Sequence, residues 1–372
     1  MEKRHNYDVI ALLSGGLDSI LAARLVQEQG KRVLCLHFVT PFFGKPNLTD
    51  KWKAVYGLEV LPVDVSGAFV DMLRQGPAHG FGKVLNPCVD CKIMLLRMAR
   101  EMMPRFGAKA IITGEVLGQR PMSQRKDALD IIRREAGVSD VLLRPLSAQL
   151  LPEIPAESSG FIDRSRLKAF SGRGRKEQLA LAAAFGITDI PTPAGGCLLT
   201  EQGTSRAYWP LLRLWPEPRP DDFRLVKAGR QFWRREKKLG WLTVGRTEKD
   251  NAKLENLASE HDLLFSLEDF TGPVALGRNT ADGAWDDPDL VCTAAAHTAS
   301  FSGKAAAYAA ETGKNVAVRI RHTGGNGEHR LLVKPERGAG GWAEFPWDYA
   351  REEIKRESRQ AEARRKQERR LR

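Results

Sequence analysis

The residues best suited to chemistry lie near the amino end, where Ser14-Gly15-Gly16-Leu17-Asp18-Ser19 groups glycines, hydroxyls and one carboxylate. Glycines lack a Cβ, so backbone N–H groups can curl around an anion, and a helix starting there adds partial positive charge. The hydroxyls of Ser14 and Ser19 can donate to phosphate oxygens. Asp18 belongs beside a phosphate only if a divalent cation such as Mg²⁺ bridges the two. The alternative is a tight strand-to-helix turn capped by Ser and Asp. With Asp18-Ser19 completing the run at the first strand of a parallel sheet, phosphate binding is the expected role. The rival loop, G-x-x-x-x-G-K-[ST], is absent, because no Gly-Lys in the chain is followed by Ser or Thr. Transfer of a γ-phosphoryl group is therefore disfavoured.

A second chemical feature is sulfur. Cys88 and Cys91 form a C-x-x-C just ahead of a predicted helix, and Cys197 ends the turn-rich stretch 191–197. A thiolate at a helix N-terminus has a depressed pKa and is a better nucleophile or metal ligand. The pair alone could be half of a zinc site, a dithiol redox couple or two ligands of an iron–sulfur cluster. Zinc needs a fourth ligand, and the seven histidines supply no H-x-x-H partner. Cys35 lies inside an apolar run and Cys292 follows Leu290-Val291, so both read as buried small hydrophobes. Five cysteines, an odd number, are no disulfide framework.

These residues need a scaffold. Residues 8–13, 32–38, 59–63, 109–113 and 141–143 read as strands, and 19–29, 91–106 and 124–135 as helices between them. Alternation at this spacing predicts an α/β domain with a doubly wound parallel sheet, whose ligands sit at the carboxyl ends of the strands. A connector, 147–206, is rich in Pro and Gly and carries Arg164, Arg166, Lys168, Arg173, Arg175 and Lys176, with one helix over 176–185. Seven of eight tryptophans lie at or beyond Trp209, which predicts a second, smaller α+β domain. Its strands are expected at 241–244, 274–276, 316–320 and 330–333, and its helices at 252–260 and 302–311. Residues 346–372 read as one exposed basic helix, with seven Arg or Lys against two Glu from Arg359 onward. The expected domains are thus 1–205, 206–345 and 346–372.

The formal net charge of +12 and pI near 9.6 attract phosphate backbones, which makes nucleic acid the leading partner. Between Arg206 and Trp241 basic and aromatic residues interleave, including Trp209, Arg213, Trp215, Arg224, Lys227, Arg230, Phe232, Trp233, Arg234, Arg235, Lys237 and Lys238. Cations there can neutralise phosphates while exposed aromatic faces stack on bases, with about half of the tryptophans expected in a core. The apolar run 9–13 is too short for a signal segment, and no stretch approaches the length of a membrane span. A reducing cytoplasm is the expected location.

The S-G-G-x-D-S run resembles the PP-loop of the ATP pyrophosphatases, which bind pyrophosphate there and cleave ATP to AMP and pyrophosphate. Thr113-Gly114-Glu115-Val116-Leu117-Gly118-Gln119 resembles the T-G-E-x-L-G-Q segment of tRNA 4-thiouridine synthetases, and Asn86-Pro87-Cys88-Val89-Asp90-Cys91 the cysteine loop of tRNA 2-thiouridylases. Those synthetases carry an RNA-binding THUMP domain ahead of the loop, whereas Ser14 stands near the start here, so RNA is expected to be held by other parts. Val244-Gly245-Arg246-Thr247-Glu248-Lys249-Asp250-Asn251 and the later segment 263–273 are similar to the NFACT-R RNA-binding domain, with Phe265 and Ser266 where Trp and His would be expected.

The resemblance implies a tRNA sulfurtransferase that adenylates a uridine carbonyl oxygen with ATP and replaces it with sulfur. Ser14, Gly15, Gly16, Asp18, Ser19, Phe38, Gly114 and Gln119 are expected at the nucleotide, with Mg²⁺ at Asp18. Cys88, Cys91 and Cys197 are expected either to hold a [4Fe-4S] cluster or to carry and resolve a persulfide. The expected partners are tRNA and a sulfur donor, either sulfide or a cysteine desulfurase or persulfide carrier; no membrane is expected, and a homodimer is admitted. Two other functions stay open: sulfuration or amidation of a small molecule, and a non-catalytic, nucleotide-dependent RNA-binding protein.

Overall fold

The computed structural model describes residues 6–191, 196–235, 239–279, 284–325 and 327–371. The chain divides into two compact units, residues 1–201 with 354–372, and residues 202–353.

In the first unit β1 (Val9–Leu12), α1 (Leu17–Gln27), β2 (Val33–Val39), α2 (Thr49–Tyr56), β3 (Glu59–Asp64) and α3 (Ser66–Gln75) lead to α4 (Cys88–Phe106). There follow β4 (Ala110–Thr113), α5 (Lys126–Glu135), β5 (Leu142–Leu143), α6 (Pro155–Ser158) and α7 (Lys176–Ala184). The strands form one parallel sheet in the order β3-β2-β1-β4-β5. The runs VIAL and AIIT are buried along their whole length, as expected of inner parallel strands covered on both faces. Strand order reverses between β1 and β4, the position in an open parallel sheet where ligands sit at the carboxyl ends of the strands.

Two helices start earlier than the sequence suggests, and both shifts matter. α1 begins at Leu17, which brings Asp18 and Ser19 into its first turn, and α4 begins at Cys88, which does the same for both cysteines. Asp18 and Asp90 then sit where a carboxylate complements the helix N-terminus. α2 and α3, not anticipated, fill the crossovers that flank β3.

The second unit contains α8 (Gln202–Arg213), α9 (Pro220–Leu225), β6 (Arg230–Arg234), β7 (Gly240–Val244), α10 (Glu248–Leu257), β8 (Leu263–Leu267) and β9 (Ala275–Arg278). It continues through α11 (Pro288–Ala299), α12 (Gly303–Thr312), β10 (Val316–His322) and β11 (Glu328–Val333). Its six strands pair antiparallel in the order β11-β10-β8-β9-β7-β6. The buried Arg278 guanidinium binds Asp262 at 2.6 Å and Asp222 at 3.1 Å, so each charge in this interior is paired.

Here the basic and aromatic stretch departs from expectation. Trp209, Trp215, Phe232, Trp233 and Trp241 are all buried, and the Trp233 and Trp241 rings stack at 5.4 Å. β6 runs through the middle of the stretch, and its Arg234 is buried against Asp289 at 2.6 Å. Those faces build a core and offer no platform to a base; Lys237 and Lys238 lie outside the described residues. The V-G-R-T-E-K-D-N segment also serves the fold: Thr247 caps α10 by accepting from Asp250 N–H, and Asn251 Oδ1 accepts from Val274 N–H at 3.0 Å. Cys292 is exposed rather than buried, because α11 turns Leu290, Val291, Ala294 and Ala295 toward the core instead. Cys35 is buried as expected, and burial pushes its thiol up to about 12.

The last element, α13 (Trp347–Leu371), is the basic helix read from the sequence, but it is not wholly exposed. From Ile354 onward it belongs to the first unit, where Ile354 and Ala361 are buried. Among the described residues no helix is long and apolar enough to cross a membrane.

Candidate functional site

The Ser14–Ser19 loop is held in shape by its own hydroxyls. Ser14 Oγ donates to Ser19 Oγ at 3.2 Å and accepts from Gly16 N–H, while Ser19 Oγ donates to the Gly16 carbonyl at 2.8 Å. Gly15 has φ +78°, and a Cβ on it would lie 2.5 Å from the Trp52 ring, so only glycine fits. Gly16 occupies the N-cap of α1 without a side chain to cap it, which leaves the helix N-terminus available to an anion. Behind the loop, the buried His37 accepts from Lys45 N–H at Nε2 and so donates from Nδ1 to the Leu13 carbonyl at 2.8 Å. Burial lowers the pKa of this ring, which keeps it neutral and fixes that tautomer.

The loop after β4 closes the other side. A Cβ on Gly114 would lie 2.4 Å from the Ser19 nitrogen, so the backbones of the two loops touch. Gln119 Nε2 donates to Asp18 Oδ2 at 3.1 Å, and Asp18 Oδ1 is buried with no protein partner. Burial pushes the Asp18 carboxyl up, opposed by the Gln119 bond and by the charges of Arg175 and Arg120. An orphaned carboxylate oxygen at a phosphate loop fits Mg²⁺, which keeps waters and phosphate oxygens in its shell and needs only one or two protein carboxylates. Gly172 N–H donates to the Leu117 carbonyl at 2.7 Å, so the connector that carries Arg175 is tied to this loop. Phe38, expected at the nucleotide, is instead in the core with Leu12, Leu36 and Val65, supporting the sheet from within.

The three cysteines are gathered into one neighbourhood. Cys88 opens α4, where Asn86 Nδ2 donates to its Sγ at 3.3 Å, and Cys91 lies in the next turn. Leu198 N–H donates to the Phe42 carbonyl at 3.0 Å, which docks the Cys197 segment on the loop that follows β2. Residues 192–195 of that turn-rich stretch lie outside the described residues. Burial pushes the Cys91 thiol up, and the neighbouring Cys197 raises it further against the Lys92 ammonium. The Cys197 thiol is pushed up to about 12, again mainly by burial, with Cys88 adding to it. The depressed pKa expected at a helix N-terminus is thus overridden for Cys91 by desolvation and by the adjacent sulfur. Among the described residues no three His, Cys, Asp or Glu side chains are arranged to hold a metal ion, so this sulfur set does not fit a cluster as it stands.

Two supports escaped the sequence reading. Glu115, in the loop after β4, is buried, accepts from Thr113 Oγ1 and Arg144 Nε at 3.0 Å each, and faces Lys92 at 3.7 Å. Lys92 adjoins Cys91, so this pair links the loop after β4 to the cysteine helix. Burial alone would raise the Glu115 carboxyl, but Lys92 and Arg144 hold it below its ordinary 4.5. Glu115→Gln should leave Arg144 buried without a counter-charge and cost about 3–5 kcal/mol in denaturant unfolding. With its folded pKa depressed, the pair stabilises fully above pH 4.5 and loses this as pH falls through the folded value. The gap between wild type and variant should therefore narrow under acid.

The second support comes from α13. Asp90, between the two cysteines, accepts from His79 N–H at 3.0 Å; His79 Nδ1 accepts from Arg365 Nη1 at 2.8 Å, and its Nε2 donates to Glu135 Oε2 at 2.8 Å. Ser358 Oγ accepts from Phe81 N–H on the same segment. Only the sequence position of Arg365 was readable, because its partner is 286 residues away.

Residues 5–150 match the family model described as thiamine biosynthesis protein (ThiI). A protein named probable tRNA sulfurtransferase from Thermococcus kodakarensis is 34% identical over 120 residues, covering 30% of each chain. Another of that name, from Methanothermobacter thermautotrophicus, is 27% identical over 199 residues, covering 51% of this chain and 43% of its own. The matched segments thus span less than half the length of these relatives. The solved structure of a predicted subunit of tRNA methyltransferase from Methanocaldococcus jannaschii aligns at 14% identity and a TM-score of 0.28, over 37% of this chain and 68% of that one.

Proposed function

We propose that this chain is an ATP-dependent tRNA thiouridine synthase. The reading rests chiefly on one observation: the S-G-G-x-D-S loop and the Gly114–Gln119 loop meet at the point where strand order reverses, with the three cysteines on loops and a helix start beside the same sheet. The family match over this region and the names of the relatives agree with it.

In this scheme the loop and the α1 N-terminus hold the β- and γ-phosphates of ATP, and Arg175 and Arg120 lie on the same side. Mg²⁺ held by Asp18 would offset phosphate charge. The uridine carbonyl oxygen attacks the α-phosphorus and pyrophosphate leaves. The terminal sulfur of a persulfide on Cys88, received from a carrier persulfide that leaves as its thiol, then attacks the ring carbon. AMP departs with the original oxygen, so the C–O bond breaks as the C–S bond forms. Cys88, with Asn86 donating to its sulfur, is the group assigned to carry that persulfide; the Cys197 thiolate then attacks the Cys88 sulfur, so the S–S bond breaks, the thiouridine is released, and the Cys88–Cys197 disulfide left behind is reduced by an external dithiol. The second unit, whose V-G-R-T-E-K-D-N segment resembles NFACT-R domains, is assigned the task of holding RNA.

Incubating the protein with unmodified tRNA, ATP, Mg²⁺, a carrier persulfide and a dithiol, then digesting to nucleosides, should give a thiouridine by mass spectrometry. Normal ATP cleavage with unmodified nucleosides throughout would contradict the assignment of tRNA as acceptor.

The strap formed by α13 gives a further expectation. Arg365→Ala removes a donor to the buried His79, a loss of about 1–3 kcal/mol locally, and should speed alkylation of Cys88 about tenfold. Mass spectrometry of iodoacetamide-treated protein measures this, and an unchanged rate would remove the strap from the account.

A further inference from the structure

In the second unit two arginines share one aromatic ring. The Arg337 guanidinium lies 3.4 Å from the centroid of Phe301, and that of Arg230 lies 5.6 Å from it. Both are exposed, and neither makes an ion pair with a described carboxylate. Arg337 spends two N–H groups on Ser300, whose hydroxyl and carbonyl accept at 3.0 and 3.1 Å. Its remaining donors, and all those of Arg230, have no acceptor among the described residues.

Three more features favour an anion at this spot. Burial, with the charge of Arg230 adding to it, lowers the Arg337 pKa; like charges this close with no described acid between them store repulsion that an anion would relieve. Next along the chain from Phe301, Ser302 caps the start of α12, a ten-residue helix whose N-terminal dipole end is positive. Beside Phe301 lies His297, fully buried, with its ring 5.2 Å away. Its Nδ1 accepts from Gly338 N–H, so the proton of the neutral ring is on Nε2, and that donor has no acceptor among the described residues. Burial, with Arg337 adding to it, lowers this histidine to about 4 and keeps it neutral.

We propose that Arg230 and Arg337, braced on Phe301 at the start of α12, form a binding site for a phosphodiester of the RNA backbone. An arginine fork suits two phosphate oxygens, and the ring holds both guanidiniums in place before the anion arrives. The site replaces the aromatic platform expected from the sequence, since its recognition is of phosphate and sequence-independent. The identity of the RNA rests on the function proposed above; the phosphate chemistry does not.

The test is tRNA binding by the full chain, followed by fluorescence anisotropy at several salt concentrations. Arg230→Ala with Arg337→Ala should weaken binding about tenfold or more and reduce the slope of log K against log[salt] by about one to two units. Arg230→Lys with Arg337→Lys should restore most of the slope, because it restores the charge. Inorganic phosphate should shift the Arg side-chain NMR resonances of the wild type and not those of the alanine variant. An unchanged slope and affinity in a folded alanine variant would overturn the site. So would RNA binding lost equally in the lysine variant, which would mean that packing and not charge had been removed. Binding is read without catalysis, so absence of thiouridine alongside a reduced slope would count against the proposed chemistry alone.

Discussion

Asp18→Asn lowers RNA-dependent pyrophosphate release by about 10²–10³-fold, the scale of losing one preorganised charge contact at a reacting phosphate. The substitution keeps the shape of the side chain and an oxygen for Gln119 Nε2, which now sits 3.1 Å from Asp18 Oδ2. What it removes is the negative charge on the buried, unpartnered Oδ1. Because burial raises the Asp18 pKa, the carboxylate costs the fold stability, and the neutral amide should leave the Tm unchanged or higher. Lower turnover together with an undiminished Tm identifies a charge kept for chemistry. A variant that is active, or inactive only because it unfolds, would show that Asp18 is a helix-start residue and nothing more.

Cys88→Ser separates the two halves of the reaction. Thiouridine formation should fall on the order of 10³-fold or more, as when a nucleophile is removed from a set that acts as a unit. Pyrophosphate release should stay within about threefold of wild type, since Cys88 is part-buried and its sulfur is bonded by Asn86 and not by the Ser14–Ser19 loop. Cys197→Ser should have the same phenotype, because its sulfur shares the neighbourhood of Cys88 and Cys91. Measuring pyrophosphate and nucleoside in one reaction mixture checks both. If Cys88→Ser reduces both products equally, the cysteine is required for folding or for ATP chemistry, and sulfur delivery must be assigned elsewhere.

The phosphate loop was legible in the sequence because all its parts are local: two glycines, two hydroxyls and a carboxylate on one strand-to-helix turn. The parallel sheet was legible for the same reason, since each buried strand is a short apolar run bounded by helical spacing. That Cys197 would join Cys88 and Cys91 was an expectation drawn from resemblance; the docking of Leu198 on Phe42 accounts for it physically.

What could not be read was non-local. Arg234 looks like a surface cation until Asp289, 55 residues on, is seen to pair with it, which lets its guanidinium be buried although β6 is the edge strand of its sheet. Glu115 looked like part of a nucleotide motif, yet its charge is spent on Arg144 and Lys92. The tail beyond Arg359 reads as a solvated run of charge because nothing in its composition indicates that Arg365 will find His79. The thiols carry the same lesson: a helix start favours thiolates, but the depth at which Cys91 sits raises its pKa by more than the helix lowers it.

The most direct test follows the α-phosphate of ATP. With ATP labelled there, purified protein and unmodified tRNA, the label should appear in AMP, in step with pyrophosphate and only when RNA is present. Label accumulating in ADP, or ATP left intact under the same conditions, would contradict the account at its first step.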